Sequence, residues 1–101
     1  MSYAVIWRFQ VDPERVAEFE RRYGPAGDWA QLFGRAEGYR GTELLQDQSD
    51  PLVYVTVDWW ESETAFDAFR AEHGPAYAAL DAACESLTRG ETRVGSFIGI
   101  G

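Results

Sequence analysis

A few side chains in this sequence have the chemistry to take a proton from a bound molecule. His73 is the only histidine, and it stands just before a Gly-Pro pair where a helix is predicted to end. The dipole at that end favours the imidazolium form, and histidine ordinarily titrates near neutral pH. Tyr54 and Tyr77 are the other candidates for taking up the proton of an acidic phenol or quinol. The alternative for His73 is a solvated helix end with no chemical role.

Aromatic rings and a few polar side chains together have the composition of a binding site for a planar molecule. Five rings are spaced to line such a site: Trp7, Trp60, Phe66, Phe69 and Tyr77. Thr56 and Asp58 alternate with valines in one predicted strand, so they point the same way as Trp60, which we expect to hold the reacting ring. A polar group that faces a helix layer needs a partner, so this pair indicates a cavity. The alternative is that the rings are plain core and that Asp58 reaches water at the strand end.

Several other kinds of site find no support in the sequence. Cys84 is the only cysteine, so an internal disulfide and a CxxC redox or zinc site are excluded. No His, Cys and Asp residues have metal-ligand spacing, and no glycine-rich loop leads from a strand into a helix. Ser62 and Ser96 have no obvious base nearby. We therefore expect no metal, no nucleotide and no bound cofactor.

Charge and hydropathy limit the partners and the location. The 17 acidic and 9 basic residues give a net charge of -8, which repels phosphate backbones and anionic lipid. No run approaches the ~18 to 20 apolar residues of a spanning helix. The apolar run at the amino terminus is broken by Arg8 before it is long enough for a signal peptide. We predict a cytoplasmic protein that binds neither nucleic acid nor membrane.

The 101 residues predict one domain, 1–101, in which strands and helices follow one another. Aromatic and β-branched runs indicate the strands, and apolar residues at helical spacing indicate the helices. Asp12, Asp28 and Ser62 are predicted helix caps, and Gly90 is predicted to end the last helix. The predicted strands are residues 3–11, 39–47, 52–60 and 92–100, and the predicted helices begin after Asp12, near Asp28, after Ser62 and at Pro75.

The order β, α, β, β, α, β predicts a ferredoxin-like α+β fold. In that arrangement four strands form one antiparallel sheet and the helices cover a single face. Both faces of the strand at residues 52–60 are largely apolar, with Val53, Val55, Val57 and Trp59 on one side and Leu52, Tyr54, Thr56 and Trp60 on the other. Soluble monomers rarely expose an apolar patch of more than a few hundred Å². A second copy of the chain is the simplest cover, so we predict a two-fold homodimer that pairs sheet against sheet.

Two segments resemble the antibiotic biosynthesis monooxygenase family of dimeric α+β barrels. The first runs from Trp60 to Phe69, directly after an apolar strand, and the second runs from Gly38 to Leu45. The predicted order of elements agrees with that family over nearly the whole chain. The resemblance implies a dimeric α+β barrel with a small apolar pocket in each subunit, between the sheet and the helices.

Two branches of that family can be compared with this chain residue by residue. The haem-degrading branch implies an Asn, a Trp and a haem-binding His, which match Trp7, Phe69 and Ala79. None of the three is retained, so we expect no haem degradation. The polyketide quinol oxygenases imply an Asn four residues before a Trp, which match Thr56 and Trp60. Only the Trp is retained, and the Tyr implied six residues further on is a Phe.

The leading hypothesis is a homodimeric, cofactor-independent monooxygenase that acts on a small aromatic or quinone-like molecule. Its substrate anion, formed with the help of His73, Tyr54 or Tyr77, passes an electron to dioxygen. Trp60 and Phe69 hold the ring in this mechanism. A second hypothesis is a non-catalytic dimer that binds a small hydrophobic ligand or serves as a structural module, and the missing family residues favour it. A third is polyketide cyclisation, for which Asp58 with His73 is the candidate acid–base pair.

Overall fold

The structure, a computed structural model, describes residues 2–101. In chain order the elements are β1 (Tyr3–Val11), α1 (Val16–Tyr23), α2 (Asp28–Phe33), β2 (Tyr39–Gln46), β3 (Val53–Trp60), α3 (Glu63–Glu72), α4 (Gly74–Cys84), a 3₁₀ turn (Glu85–Leu87) and β4 (Thr88–Ile98). No helix in this part of the chain is long and apolar enough to cross a membrane.

All four strands pair antiparallel in one sheet, in the order β2-β3-β1-β4. The register of β1 and β3 places these residues opposite one another: Val5 and Asp58, Trp7 and Thr56, Phe9 and Tyr54. Residues opposite one another in an antiparallel pair share a face of the sheet. They form the inner face, on which the helices lie, and the predicted ferredoxin-like α+β fold is confirmed.

The helices cover the inner face through contacts between aromatic rings. Phe19 of α1 lies against Phe9 with ring centroids 5.4 Å apart. Phe33 of α2 and Phe69 of α3 contact Trp60 at 5.5 and 5.3 Å. Phe19 and Trp60 have no exposed surface. The core therefore lies between the sheet and the helices, and the outer face of the sheet has no helix on it.

Of the three predicted helix caps, one is confirmed. Ser62 Oγ accepts a hydrogen bond from the Ala65 N–H at 3.1 Å and caps α3. The predictions for Asp12 and Asp28 are wrong, because each carboxylate has another partner. Asp12 accepts a hydrogen bond from the Glu14 N–H at 2.9 Å in a turn that precedes α1. Asp28 lies inside the first turn of α2, where it binds an arginine of α1.

β4 begins earlier than the sequence predicts. The last α-helix ends at Cys84 and β4 starts at Thr88, so the prediction that Gly90 ends the helix is wrong. Gly90 instead pairs with Gln10 of β1. Pairing with β1 satisfies the backbone hydrogen-bonding groups of this segment, and that tertiary contact outweighs the local helical pattern.

A β-bulge in β4 changes which of its side chains face the helices. The pairing of β4 with β1 shifts register beside Trp7, where Val94 is the extra residue. Regular alternation predicts Arg93 and Ser96 on opposite faces, but the bulge places both on the inner face, where Arg93 Nη2 donates to Ser96 Oγ. The same shift places Glu91 on the inner face.

Gly38 allows α3 to approach the start of β2. A Cβ on Gly38 would overlap the Cβ of Ala65. We expect Gly38→Ala to lower the free energy of unfolding by about 1 to 3 kcal/mol, the usual cost of overpacking. Urea denaturation measures this change. Gly90→Ala is the matched control, because nothing lies within 4 Å of a Cβ at that position, and equal losses in the two variants would contradict the explanation.

Candidate functional site

A cavity of about 280 Å³ lies between the inner face of the sheet and the helices, with lining residues from α1, α2, α3 and α4. Its walls are mainly aromatic, with Trp7 and Phe9 from β1, Trp29 and Phe33 from α2, and Tyr77 from α4. Pockets for drug-sized ligands measure roughly 300 to 1,000 Å³. The cavity is therefore suited to a small, flat molecule.

The polar part of the cavity is a hydrogen-bonded chain of side chains from β2 and β3. Asp58 is 8% exposed, and its Oδ1 accepts a hydrogen bond from Thr42 Oγ1 at 2.7 Å. The same threonine oxygen lies 2.5 Å from the hydroxyl of Tyr39. Thr42 has one hydroxyl proton and donates it to Asp58, so the Tyr39 hydroxyl donates to Thr42.

Burial alters the acidity of Asp58. Loss of hydration disfavours the charged carboxylate and raises the pKa of Asp58 from 3.8 to about 6, while the hydrogen bond from Thr42 opposes this rise. Asp58 Oδ2 has no hydrogen-bond partner among residues 2–101, and Asp58 lines the cavity. At neutral pH this carboxyl group is mostly ionised, yet it takes up a proton more readily than an ordinary aspartate.

Charged side chains surround the open end of the cavity, where Arg70 of α3, Asp81 of α4 and Glu91 of β4 are exposed. Burial raises the pKa of Glu91, and the charges of Asp81 and Glu85 raise it further. Burial also raises the pKa of Tyr77, as does Asp81, whereas Arg70 lowers it. Two carboxylates against one guanidinium make this end acidic, which disfavours an anionic ligand.

The cavity brings together four residues predicted from the sequence: Trp7, Thr56, Asp58 and Tyr77. The other predicted rings, Trp60, Phe66 and Phe69, are not among its lining side chains. Trp60 has no exposed surface and lies 5.3 Å from the rings of both Phe66 and Phe69. These three rings are core that supports the cavity, which is the alternative interpretation of their spacing.

Tyr54 and His73 also lie outside the lining of the cavity. The Tyr54 hydroxyl donates to Glu20 Oε2 at 2.5 Å, and burial, followed by Glu20, raises the pKa of Tyr54 to about 12. His73 lies at the end of α3, where its Nε2 is 3.9 Å from Glu72 Oε2. The structure thus separates two of the three predicted proton acceptors from the aromatic walls, whereas Tyr77 and Asp58 lie among them.

Eight lining residues were not predicted from the sequence: Phe9, Tyr23, Trp29, Phe33, Thr42, Arg70, Asp81 and Glu91. Thr42 could be found only once the register of the β2–β3 hairpin was known, because that register places it opposite Asp58. Trp29 and Arg70 reach the cavity only through the placement of α2 and α3 on the sheet. Glu91 reaches it because β4 starts early and contains the bulge.

Asp58→Asn tests the cost of burying this carboxylate. Because the pKa is higher in the folded protein than in the unfolded chain, the folded protein binds the proton more tightly, and stability falls as pH rises from about 4 to about 6. At about pH 8 the ionised group therefore costs about 2 to 3 kcal/mol. Asn keeps the shape, accepts the bond from Thr42 and carries no charge.

We expect Asp58→Asn to raise the free energy of unfolding by that amount at about pH 8 and to have little effect at about pH 3, where Asp58 is protonated in both states. Urea denaturation at the two pH values measures the difference. The same change at both values would contradict the assignment.

Residues 2–82 match the family model described as "Antibiotic biosynthesis monooxygenase". No curated protein matches the chain.

Several solved structures share the fold. SnoaB, a cofactor-independent oxygenase from Streptomyces nogalater, is 22% identical, with a TM-score of 0.72 over 99% of this chain and 94% of its own. Rv0793 from Mycobacterium tuberculosis is 19% identical, with a TM-score of 0.69 over 100% and 97% of the two chains. PA3566 from Pseudomonas aeruginosa is 15% identical, with a TM-score of 0.68 over 99% and 95%. These structures establish the fold, and because the family model covers most of the chain, the chain belongs to the antibiotic biosynthesis monooxygenase family.

Proposed function

We propose that this protein is a cofactor-independent monooxygenase that acts on a small hydroxylated aromatic or quinol-type molecule. The observation that carries the proposal is a buried carboxyl group, Asp58, in an aromatic-walled cavity. A carboxylate among rings has the chemistry to remove a proton from a planar substrate. SnoaB, which shares the fold, is a cofactor-independent oxygenase, and this supports the reaction class.

The lining of the cavity supports the binding of a planar aromatic molecule that has an acidic proton. The substrate ring lies against Trp7, Phe33 and Tyr77 in offset or edge contacts. Its acidic O–H or C–H points at Asp58 Oδ2, and the hydroxyl of Thr56 is available beside it on the same face of β3. The acidic open end selects against substrates that carry a carboxylate or a phosphate.

The reaction begins when Asp58 accepts a proton from the substrate. The substrate anion then gives one electron to dioxygen, and the two radicals combine to form the C–O bond of a peroxide, which takes the proton back from Asp58. The hydroperoxide loses water and leaves a carbonyl group. For a ring methylene, one dioxygen converts CH₂ to C=O and its second oxygen atom leaves as water, so no further reductant is consumed.

Oxygen uptake with an anthrone, in buffer free of metal and flavin, tests this function. We expect turnover that increases with pH through about 6, because Asp58 must be ionised. Asp58→Asn should lower kcat by roughly 10²- to 10⁴-fold, the usual contribution of a general base. His73→Ala is the control and should leave the rate unchanged. An active Asp58→Asn variant beside an inactive His73→Ala variant would transfer the role of the base to His73.

Oxygen uptake together with tryptophan fluorescence distinguishes an enzyme from a non-catalytic binding protein. If the anthrone quenches tryptophan fluorescence at micromolar to millimolar concentration but no oxygen is consumed, the protein is a non-catalytic binder of small aromatic ligands. The loss of the Asn and Tyr implied by the resemblance favours that second function.

The outer face of the sheet supports a homodimer. By register it carries Ile6 of β1, Leu45 of β2, Val55 of β3 and Phe97 of β4. Leu45 is 49% exposed and Phe97 is 46% exposed. The helices lie on the other face, so a second copy of the chain, paired sheet against sheet as a dimeric α+β barrel, would bury these side chains.

Val55→Asp tests the dimer, because it would bury an unpaired carboxylate in the proposed interface at a cost of several kcal/mol. We expect light scattering to give twice the chain mass of 11.4 kDa for the unmodified protein and a monomer for the variant. Ala79→Asp, on an exposed position of α4, is the control and should remain dimeric. An unmodified protein that scatters as a monomer at micromolar concentration would disprove the proposal.

The proposed location is the cytoplasm. Cys84 is a buried free thiol, and a reducing compartment keeps thiols in that state.

A further inference from the structure

The hydrogen-bonded chain that ends on Asp58 contains two hydroxyl groups, from Thr42 and Tyr39. The reaction described above uses neither of them. We propose that Thr42 and Tyr39 are positioning residues for Asp58: Tyr39 donates to Thr42, Thr42 donates to Asp58 Oδ1, and Oδ2 is left to meet the substrate. Their effect on the rate rests on the proposed function, but their effect on Asp58 is present in the free protein.

The direction of the two hydrogen bonds supports this role. A carboxylate only accepts hydrogen bonds, so an ionised Asp58 orients the proton of Thr42 and, through it, the proton of Tyr39. Hydrogen bonds to an ionised group are shorter and stronger than those to a neutral one. The chain therefore favours the carboxylate form and opposes the effect of burial. It also occupies Oδ1, so that a proton from the cavity arrives at Oδ2.

The backbone of β2 is shaped to bring the two hydroxyl groups together. Residues three apart on a regular strand point to opposite faces, which would separate Tyr39 from Thr42. The pairing of β2 with β3 shifts register between Tyr39 and Gly41, and Gly41 has a φ of 124°, a conformation that favours glycine. This bulge places both side chains on the inner face.

Aromatic contacts hold the outer end of the chain in place. The ring of Tyr39 lies 5.4 Å from Trp60 and 5.7 Å from Phe33. Trp60 has no exposed surface, so it is a rigid support for Tyr39. A tryptophan that does not line the cavity therefore acts on Asp58 through Tyr39 and Thr42.

Other titratable groups also face Asp58 across the cavity. They are Tyr23 of α1, Arg70 of α3, Tyr77 and Asp81 of α4, and Glu91 of β4, while the rings from β1 and α2 have no ionisable group. Thr42 makes no hydrogen bond to any of these five. A change at Thr42 therefore removes its hydrogen bonds with Asp58 and Tyr39 and leaves the charged groups around the cavity as they are.

Carbon-13 NMR of the side-chain carboxyl groups measures the titration of Asp58 directly, and the signal that disappears in Asp58→Asn is assigned to it. We expect Thr42→Val, which keeps the shape and removes the hydroxyl, to raise the midpoint by about one to two pH units. Thr42→Ser should restore the original midpoint. Tyr39→Phe should raise it by a smaller amount, because Tyr39 acts through Thr42.

A second NMR signal tests the order of the chain. The ring carbon that carries the Tyr39 hydroxyl should shift at the same midpoint as Asp58, and Thr42→Val should abolish that shift. An unchanged Asp58 midpoint in Thr42→Val overturns the proposal. If Thr42→Val does not fold, Tyr39→Phe decides in the same way, since it removes one oxygen atom only.

The pH dependence of oxygen uptake distinguishes this proposal from the proposed function. If both are correct, the acid limb of kcat moves upward with the NMR midpoint in Thr42→Val, and the rate recovers at higher pH. If the NMR midpoint moves while the rate profile does not, Thr42 positions Asp58 but Asp58 is not the base. The proposed mechanism then fails and the positioning role stands.

Discussion

The fold depends on burying a continuous set of aromatic rings between one face of the sheet and the helices. Every helix except α4 supplies a phenylalanine that contacts an inner-face ring of the sheet, and Tyr77 of α4 joins the set by an edge contact with Trp29 at 5.1 Å. Burial of such rings is the main favourable term in the folding of a domain of this size. Because the rings are rigid and meet mostly at tilted or perpendicular angles, they leave a gap where the helices meet above the middle of the sheet.

Asp58 places a proton-accepting group in that gap, and its burial lowers the stability of the fold. A buried carboxyl group loses hydration, and only one of the two Asp58 oxygens has a hydrogen-bond partner among residues 2–101. Natural proteins keep such groups where function requires them, although the fold is weaker for it. The bulge at Gly41 contributes to the same hydrogen-bonded chain, since it brings the Tyr39 hydroxyl to the inner face beside Thr42, which donates to the carboxylate.

The polar residues of β3 in this chain differ from those that the resemblance to the quinol oxygenases implies. The quinol oxygenases imply an Asn at the position of Thr56, and Thr56 does line the cavity. Asp58 is two residues further along β3, on the same face and still within the cavity. Trp60, the other implied residue, is part of the core and supports the hydrogen-bonded chain through its contact with the ring of Tyr39.

The sequence by itself determined the order of the elements, the two faces of β3 and the cap at Ser62, because each depends on residues that are close together in the sequence. Strand alternation has a period of two, so Thr56 and Asp58 can be assigned to the inner face from β3 alone. Tertiary structure decided which side chains meet there. It placed Tyr54 and His73 away from the cavity, and it added Thr42 and Glu91.

The physical reason is that Glu91 and Tyr39 face the cavity side because of bulges in β4 and β2, and Thr42 does so because of the register between β2 and β3. A bulge reverses the facing of every residue beyond it, and its position is set by pairing with a neighbouring strand. Whether Tyr54 and His73 line the cavity likewise depends on how α1 and α3 are packed on the sheet. The inner face of β3 was therefore predictable from its own residues, whereas the partners of Asp58 followed only from the assembled sheet and helices.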